Sequence, residues 1–361
     1  MRPLLPTADA LLPYLRQIDY NGQYTNFGQL QSKLLSKLLT IQSNLEAEQV
    51  SGVLSSSATL GLELVISCFN LPPNSKILVP ALTFVATATA VLRCGHVPVV
   101  ADIDPENWML TPDSLAKNRG HADIRAVIPV ATFGMPQNAE SWSAWSRENN
   151  IPVVIDAASC FGAQKTAPGI SVVFSLHATK VLSTGEGGLI VTRDKNLAER
   201  LKAMTNFGIG LNQSTAGTNA KLSEYHAAVG LAHLDIWPSQ VEKRNKLLKF
   251  YKEALAPHIG NSIKLQEDTG LFATCVFNIQ LYNSDFRGRL ESAYEKSGIQ
   301  TRRWYQPLLQ HQPMFKDVIK ANETPNANLL SETLIGLPFY IELNQNELGQ
   351  VLRVLLSNIN N

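Results

Sequence analysis

Cysteine is scarce in this chain, with four residues in 361: Cys68, Cys94, Cys160 and Cys275. They are scattered and no two stand as C-x-x-C. That spacing argues against a disulfide framework and a cysteine metal site, and fits a reducing compartment. All four read as reduced core residues. Charge is sparse too. Charged residues are 17% of the chain, the net charge is +1, and no basic block occurs. Bulk charge therefore directs the chain to neither nucleic acid nor an anionic membrane. No apolar run reaches membrane-spanning length, and the opening MRPLLPTADALLPYLRQ holds no sustained apolar core before its first charges. Internal repeats and low-complexity tracts are absent as well. The expectation is a cytoplasmic protein without nucleic-acid or membrane partners, metal-free, with attachment to a membrane through another protein left open.

What is present is apolar and periodic. Hydrophobic residues make up 45% of the chain, and its length allows two domains with large cores. Leu30, Leu34, Leu35, Leu38 and Leu39 recur at helical spacing and predict an amphipathic helix over 29–46. Apolar strands follow at 50–54, 76–80, 97–100, 124–130, 151–155, 172–174 and 189–192. Helices separate many of them, one starting at Thr83 with Phe84 in its first turn, another over 195–204. This alternation predicts a mostly parallel sheet covered on both faces, with ligands beyond the carboxyl ends of its strands. Pro238 is expected to interrupt the helical pattern that begins near Ser223, ahead of a charged helix over 241–255. Residues 207–219 read as a polar, glycine-rich mobile loop. The pattern then changes, with a strand at 274–281, a helix at 286–297, a loop from Thr301 to Phe315 and a last helix at 345–357. The expected division is a large domain over 1–257 and a smaller α/β domain over 258–361.

Chemistry concentrates between Asp156 and Gly188. Asp156 ends an apolar strand, and Lys180 follows the next one, just before the glycine-rich Ser183-Thr184-Gly185-Glu186-Gly187-Gly188. A partly desolvated lysine loses its proton more readily and becomes a nucleophile. Lys180 can thus form a Schiff base with an aldehyde, and an acid can hold a pyridine nitrogen protonated. Those are the two needs of pyridoxal 5′-phosphate. Taken singly, each residue has a plainer reading: a solvated surface lysine, a strand-end aspartate capping a helix. Their pairing favours the cofactor site. Ser55-Ser56-Ser57-Ala58-Thr59 precedes an apolar helix and is either an ordinary N-cap or a phosphate cradle. Phe84 is either core or a ring that stacks on a planar cofactor. Ser175 is a strand-end serine or a phosphate donor, and His177 is as readily structural as functional. Gly185-Glu186-Gly187-Gly188 is not a dinucleotide fingerprint.

Five blocks sharpen this. KILVPALTFVATATA, PVVADIDP, IDAASCFG, SLHATKVLSTGEGGLIVT and NAKLSEYHAAVGL, in this order, resemble the DegT/DnrJ/EryC/StrS-type sugar aminotransferases over nearly the whole chain. The resemblance implies the type I, aspartate aminotransferase-like fold: an α/β/α sandwich with a mostly parallel sheet and a smaller C-terminal α/β domain. It implies that Lys180 forms the Schiff base and shuttles the proton and that Asp156 pairs with the pyridine nitrogen. Phe84 would stack on the ring, while Ser57, Ala58 and Ser175 bind the phosphate. Asn219 would reach the phosphate from a neighbouring subunit, making a homodimer the active unit. Thr25 and Gly28 resemble a loop near the sugar site. Some positions depart from the family. Ser159 stands where Gln or His is frequent against the cofactor ring, Ser56-Ser57 where a glycine-threonine pair is common, and Lys221 where arginine is usual. Leu309-Gln310 replaces a frequent Leu-His, which weakens transfer of sugar contacts from Arg302-Arg303-Trp304-Tyr305. The link from Asp156 to Lys180 resembles that of relatives acting on 4-keto-6-deoxy sugar nucleotides. The implied reaction moves the amino group of glutamate onto a keto-sugar nucleotide for polysaccharide, O-antigen or amino-sugar synthesis. A sugar dehydratase with the same cofactor and a non-catalytic regulatory relative are the alternatives.

Overall fold

The computed structural model describes residues 2–117, 123–210, 216–267, 274–282 and 284–359. In chain order the helices are α1 (Ala8–Asn21), α2 (Gln29–Glu46), α3 (Ala58–Cys68), α4 (Val85–Arg93), α5 (Pro112–Lys117), α6 (Ala139–Asn149), α7 (Lys195–Met204), α8 (Glu224–Leu255), α9 (Ser284–Lys296), α10 (Pro325–Thr333) and α11 (Gln345–Ile359). The strands are β1 (Ser51–Ser55), β2 (Lys76–Pro80), β3 (Val97–Ala101), β4 (Ile124–Val127), β5 (Val154–Asp156), β6 (Ser171–Ser175), β7 (Gly188–Thr192), β8 (Ile263–Lys264), β9 (Phe277–Leu281), β10 (Ile319–Lys320) and β11 (Leu334–Leu337).

Two four-stranded sheets, β1-β7-β6-β5 and β10-β3-β2-β4, are joined by parallel bridges Val127–Val153 and Val130–Asp156. The result is one wound sheet. β7 runs antiparallel to both β1 and β6, and the other pairings are parallel. Successive strand residues face opposite sides. Leu78, Val99, Val172 and Val191 enter one core, while Ile77, Val79, Val100, Val173 and Ile190 enter the other. Both faces are buried, which is why the strands are near-continuous apolar runs. A separate antiparallel sheet, β11-β9-β8, has its own core of Phe277, Ile279, Leu290, Tyr294, Ile335 and Leu348.

Several expectations need correction. The helix expected from Thr83 starts at Val85. Phe84 is its N-cap, in extended backbone (φ −70°, ψ 144°), and is exposed. Pro238 does not interrupt α8, which runs unbroken from Glu224 to Leu255. A proline removes one N–H and crowds the preceding turn. Here the two halves are anchored apart, Ala227, Ala228 and Leu231 in the large core and Leu248, Tyr251 and Leu255 in the small one. Three strands are shorter than expected, β4 ending at Val127, β5 starting only at Val154 and β9 starting at Phe277. α1 was not foreseen. It carries Pro13, is capped by the Thr7 hydroxyl, and buries only Ile18 fully. The middle of the loop expected over 207–219, residues 211–215, lies outside the described residues. Segments beyond 258 serve both sheets, since β10 pairs with β3.

Candidate active site

The strand ends that face one way along the wound sheet surround a cavity of about 370 Å³. Five of them contribute side chains: Ser57, Ala58 and Thr59 after β1, Phe84 after β2, Phe133 after β4, Asp156 at the end of β5 and Ser175 at the end of β6. Ligand sites of wound sheets lie at such carboxyl ends.

Lys180 sits on the tight loop between β6 and β7. That loop is held by Ala178 N–H donating to the Gly185 carbonyl (2.8 Å), Lys180 N–H to His177 (2.9 Å) and Leu176 N–H to Gly187 (2.9 Å). Gly188 closes the loop against the start of α3. A Cβ there would fall 2.5 Å from Ser55 Oγ and 2.6 Å from the Ser57 carbonyl, so only glycine fits. Lys180 Nζ points into the cavity and donates to Ser159 Oγ at 3.0 Å.

Asp156 is buried, and both its oxygens are engaged. The Thr87 hydroxyl donates to Oδ2 at 2.7 Å, and the Ala158 N–H to Oδ1 at 3.1 Å. The Thr83 hydroxyl lies 3.0 Å from that of Thr87. Burial raises the pKa of Asp156 above the usual carboxylate value, while the Thr87 and Ala158 hydrogen bonds and the nearby Lys180 pull it back.

Ser57 is the N-cap of α3, its Oγ accepting from Leu60 N–H at 3.2 Å, and the Ser55 hydroxyl donates to the Ser57 carbonyl at 2.9 Å. The plain and the functional readings of this serine are therefore compatible. Its hydroxyl caps the helix, and the first turn, where Ala58 and Thr59 line the cavity, carries N–H groups without intrahelical partners. The Ser175 hydroxyl accepts from His177 N–H at 3.3 Å. Phe84 is 59% exposed and its ring centre lies 6.3 Å from that of Tyr305, which in turn stacks on Phe133 at 5.3 Å.

The structure thus brings together Lys180, Asp156, Ser159, Ser175, Ser57, Ala58 and Phe84. Asn219 is not among them. It is exposed and bridged to Asn206, away from this protomer's own cavity. Thr25 and Gly28 also lie off the cavity. Gly28 packs so tightly on the Glu224 carboxylate that a Cβ would meet it at 2.4 Å. Sequence reasoning missed Thr87, Phe133 and Cys275, and drew nothing from Tyr305. Thr87 had a signal, a polar residue one helical turn past Phe84 near the start of a mostly apolar helix. Cys275 and Tyr305 had none, since they arrive from beyond residue 258. Cys275 is half-buried and packs against the large core, and it also lines the cavity.

The donor set suits pyridoxal 5′-phosphate. An anion-seeking helix start, a buried carboxylate and a primary amine share one enclosure with an exposed aromatic face. A wound sheet carrying that set at its strand ends places the molecule among the pyridoxal-phosphate-dependent aminotransferases. The model of the DegT/DnrJ/EryC1/StrS aminotransferase family matches residues 8–356, and the chain belongs to this family. It is similar to dTDP-4-amino-4,6-dideoxy-D-glucose transaminase of Shigella dysenteriae, with 29% identity over 98% of this chain and 97% of the relative. Among solved structures it resembles DesI in the presence of its TDP-sugar product (26% identity, TM-score 0.86, 99% and 92% of the two chains). It also resembles a Bacillus cereus protein provisionally assigned as a PLP-dependent aminotransferase (25% identity, TM-score 0.88, 98% of both chains).

Proposed function

We propose that this aminotransferase moves the amino group of glutamate onto a keto-deoxy sugar nucleotide, with a 4-keto-6-deoxy sugar as acceptor. The observation that carries the chemistry is the convergence of Lys180 and Asp156 on one cavity. The choice of acceptor is supported by the relatives, a transaminase of a dTDP-linked dideoxy sugar and DesI with a TDP-sugar product. When bound, pyridoxal 5′-phosphate supplies an aldehyde and an electron-withdrawing ring, which no side chain offers.

This chain's residues do the rest. Asp156 holds a proton at the ring nitrogen, and Thr87 and Ala158 keep its carboxylate oriented. Ala58 and Thr59 N–H groups, with the Ser57 cap and Ser175, receive the phosphate. Phe84 covers one ring face and Ser159 the polar edge beside Lys180 Nζ. Lys180 takes and returns the proton at the reacting carbon as general acid and base. In a homodimer, Asn219 of one subunit would complete the phosphate site of the other. We place the enzyme in the cytoplasm and its product in polysaccharide or O-antigen synthesis. Among the described residues no helix is long and apolar enough to cross a membrane. Lys180 also weighs against the dehydratase alternative, since the family resemblance implies a histidine at that position in members that dehydrate.

The test is incubation with glutamate and a panel of keto-sugar nucleotides, followed by mass analysis of the nucleotide pool. An aminated sugar nucleotide formed by the wild type and absent with Lys180→Ala is expected. A loaded enzyme that aminates no member of the panel would overturn the assignment of acceptor.

A further inference from the structure

Arg244 lies on α8 against the Lys180 loop and is only 8% exposed. Its guanidinium has no carboxylate partner among the described residues. Its two hydrogen bonds are long and go to neutral oxygens, Nη1 to the Val181 carbonyl at 3.4 Å and Nη2 to Gln240 Oε1 at 3.3 Å. Burying a charge without a counter-ion is costly, so buried guanidinium groups are ordinarily paired. Burial lowers the pKa of Arg244 from the ordinary arginine value, and the Cys275 thiol is an acidic neighbour that opposes this.

Beside Arg244 is a second, small cavity of about 20 Å³, lined also by Thr179, Lys180, Cys275 and Tyr340. Thr179, Lys180 and Cys275 line the large cavity too, so the two adjoin at the reactive amine. The small one has room for a small polar group and is far too small for a sugar or a diphosphate. Arg303, a cation near the cavity, is committed to Glu291. Arg2, on the small cavity's edge, lies over the Tyr340 ring at 4.6 Å and reaches Glu347 at 4.0 Å.

We propose that the small cavity is the subsite for a carboxylate of the amino donor, with the Arg244 guanidinium as its anchor. This rests on the donor being an amino acid, as in the function proposed above. A donor must bring its amine to the aldehyde that the cofactor would present beside Lys180, which leaves a carboxylate within reach of the adjoining space. A planar carboxylate meets a guanidinium with two parallel hydrogen bonds, which a water or a lysine partner does not reproduce. The long bonds to Val181 and Gln240 hold the side chain in place while free N–H groups remain for the ligand.

Glutarate carries both carboxylates of glutamate and no amine, so it binds without reacting. In calorimetric titrations of the loaded enzyme, Arg244→Gln is expected to weaken glutarate binding by about 10- to 100-fold. Arg244→Lys, which keeps the charge and loses the fork, should weaken it less. In single half-reactions the glutamate dissociation constant should rise by the same factor, while KM for the sugar acceptor, measured from the aminated enzyme, stays put. Arg244→Gln that binds glutarate as the wild type does, or that impairs both half-reactions equally, would overturn the proposal. If Arg244→Gln does not fold, Arg244→Lys decides by the same comparison of glutarate affinity against acceptor KM. The glutarate titration needs no acceptor, so a wrong sugar would not disturb it. An acetate titration separates a wrong donor: acetate binding weakened in Arg244→Gln, and less so in Arg244→Lys, supports the subsite even where glutarate fails to bind. Acetate and glutarate both indifferent to Arg244 overturn it.

Discussion

In the proposed reaction Lys180 and Asp156 carry the chemistry, and their surroundings make different predictions. Lys180 half-emerges into the cavity with one hydrogen bond, to Ser159. Removing a positioned acid–base and nucleophile is expected to lower transamination by about 10³-fold or more. Lys180→Ala, assayed by product mass, checks this, and cofactor fixed with borohydride should map to the peptide carrying Lys180 in the wild type. Asp156 makes a prediction about pH. Burial sets its folded-state pKa above the ordinary carboxylate value. Between the two values the native state keeps a proton that the unfolded chain releases. In cofactor-free protein its contribution to stability is therefore greatest below the ordinary value and declines as the pH rises toward the raised one. Asp156→Asn should flatten this slope in thermal melts taken across that range. Thr87→Val deletes a hydrogen bond that pulls the pKa down, so it should extend the declining range upward in pH.

At the scale of elements, loops are held by helix ends. The N–H groups of Leu30 and Gln31, in the first turn of α2, both donate to the Glu224 carboxylate at 2.8 Å. Glu224 is itself in the first turn of α8, capped by Ser223, and its own N–H donates to the Tyr24 carbonyl at 3.0 Å. One buried acid thus satisfies the start of one helix from the start of another and ties down the loop carrying Thr25 and Gly28. Glu224→Ala is expected to cost about 2 kcal/mol in urea unfolding, the scale of a charged hydrogen bond left unmade in a buried site. Unchanged stability would show that the loop holds itself. The α3 start has a similar economy: Ser57 caps the helix whose first turn faces the cavity. Spacing alone cannot separate a cap from a phosphate site, because one geometry serves both.

For the whole molecule, the arrangement of Asn219 matters most. It is exposed and does not line this protomer's cavity. If it serves a neighbour's site, Lys180→Ala and Asn219→Ala each damage a different subunit's contribution. Mixing the two inactive variants under conditions of subunit exchange should restore part of the activity, and sedimentation should show a dimer. No recovery on mixing would remove Asn219 from the site. The proposed division at residues 257 and 258 follows the end of α8, but β10 crosses back to the large sheet. Motion of the small sheet is therefore expected to be tethered on the large sheet's edge.

The amino-acid pattern by itself determined the wound sheet, since runs buried on both faces must be continuously apolar, and it determined the pairing of Asp156 with Lys180, since both stand at strand ends close in sequence. It also marked the Ser55-to-Thr59 stretch, Ser175 and Phe84, all within a few residues of a strand end, while Ser159 and the individual role of Ala58 came only with the family resemblance. Only the tertiary structure decided the rest. The partner of Asp156 is Thr87, separated by 69 positions. Phe84 caps its helix and faces the cavity, where the sequence alone allowed a core position equally. α8 survives Pro238 because its two halves are anchored in different cores. Cys275, Tyr305 and Arg244 reach Lys180 through the packing of the small sheet and α8 against the large one. Local periodicity fixes which face of an element is apolar, but which distant side chain meets it depends on how whole layers dock.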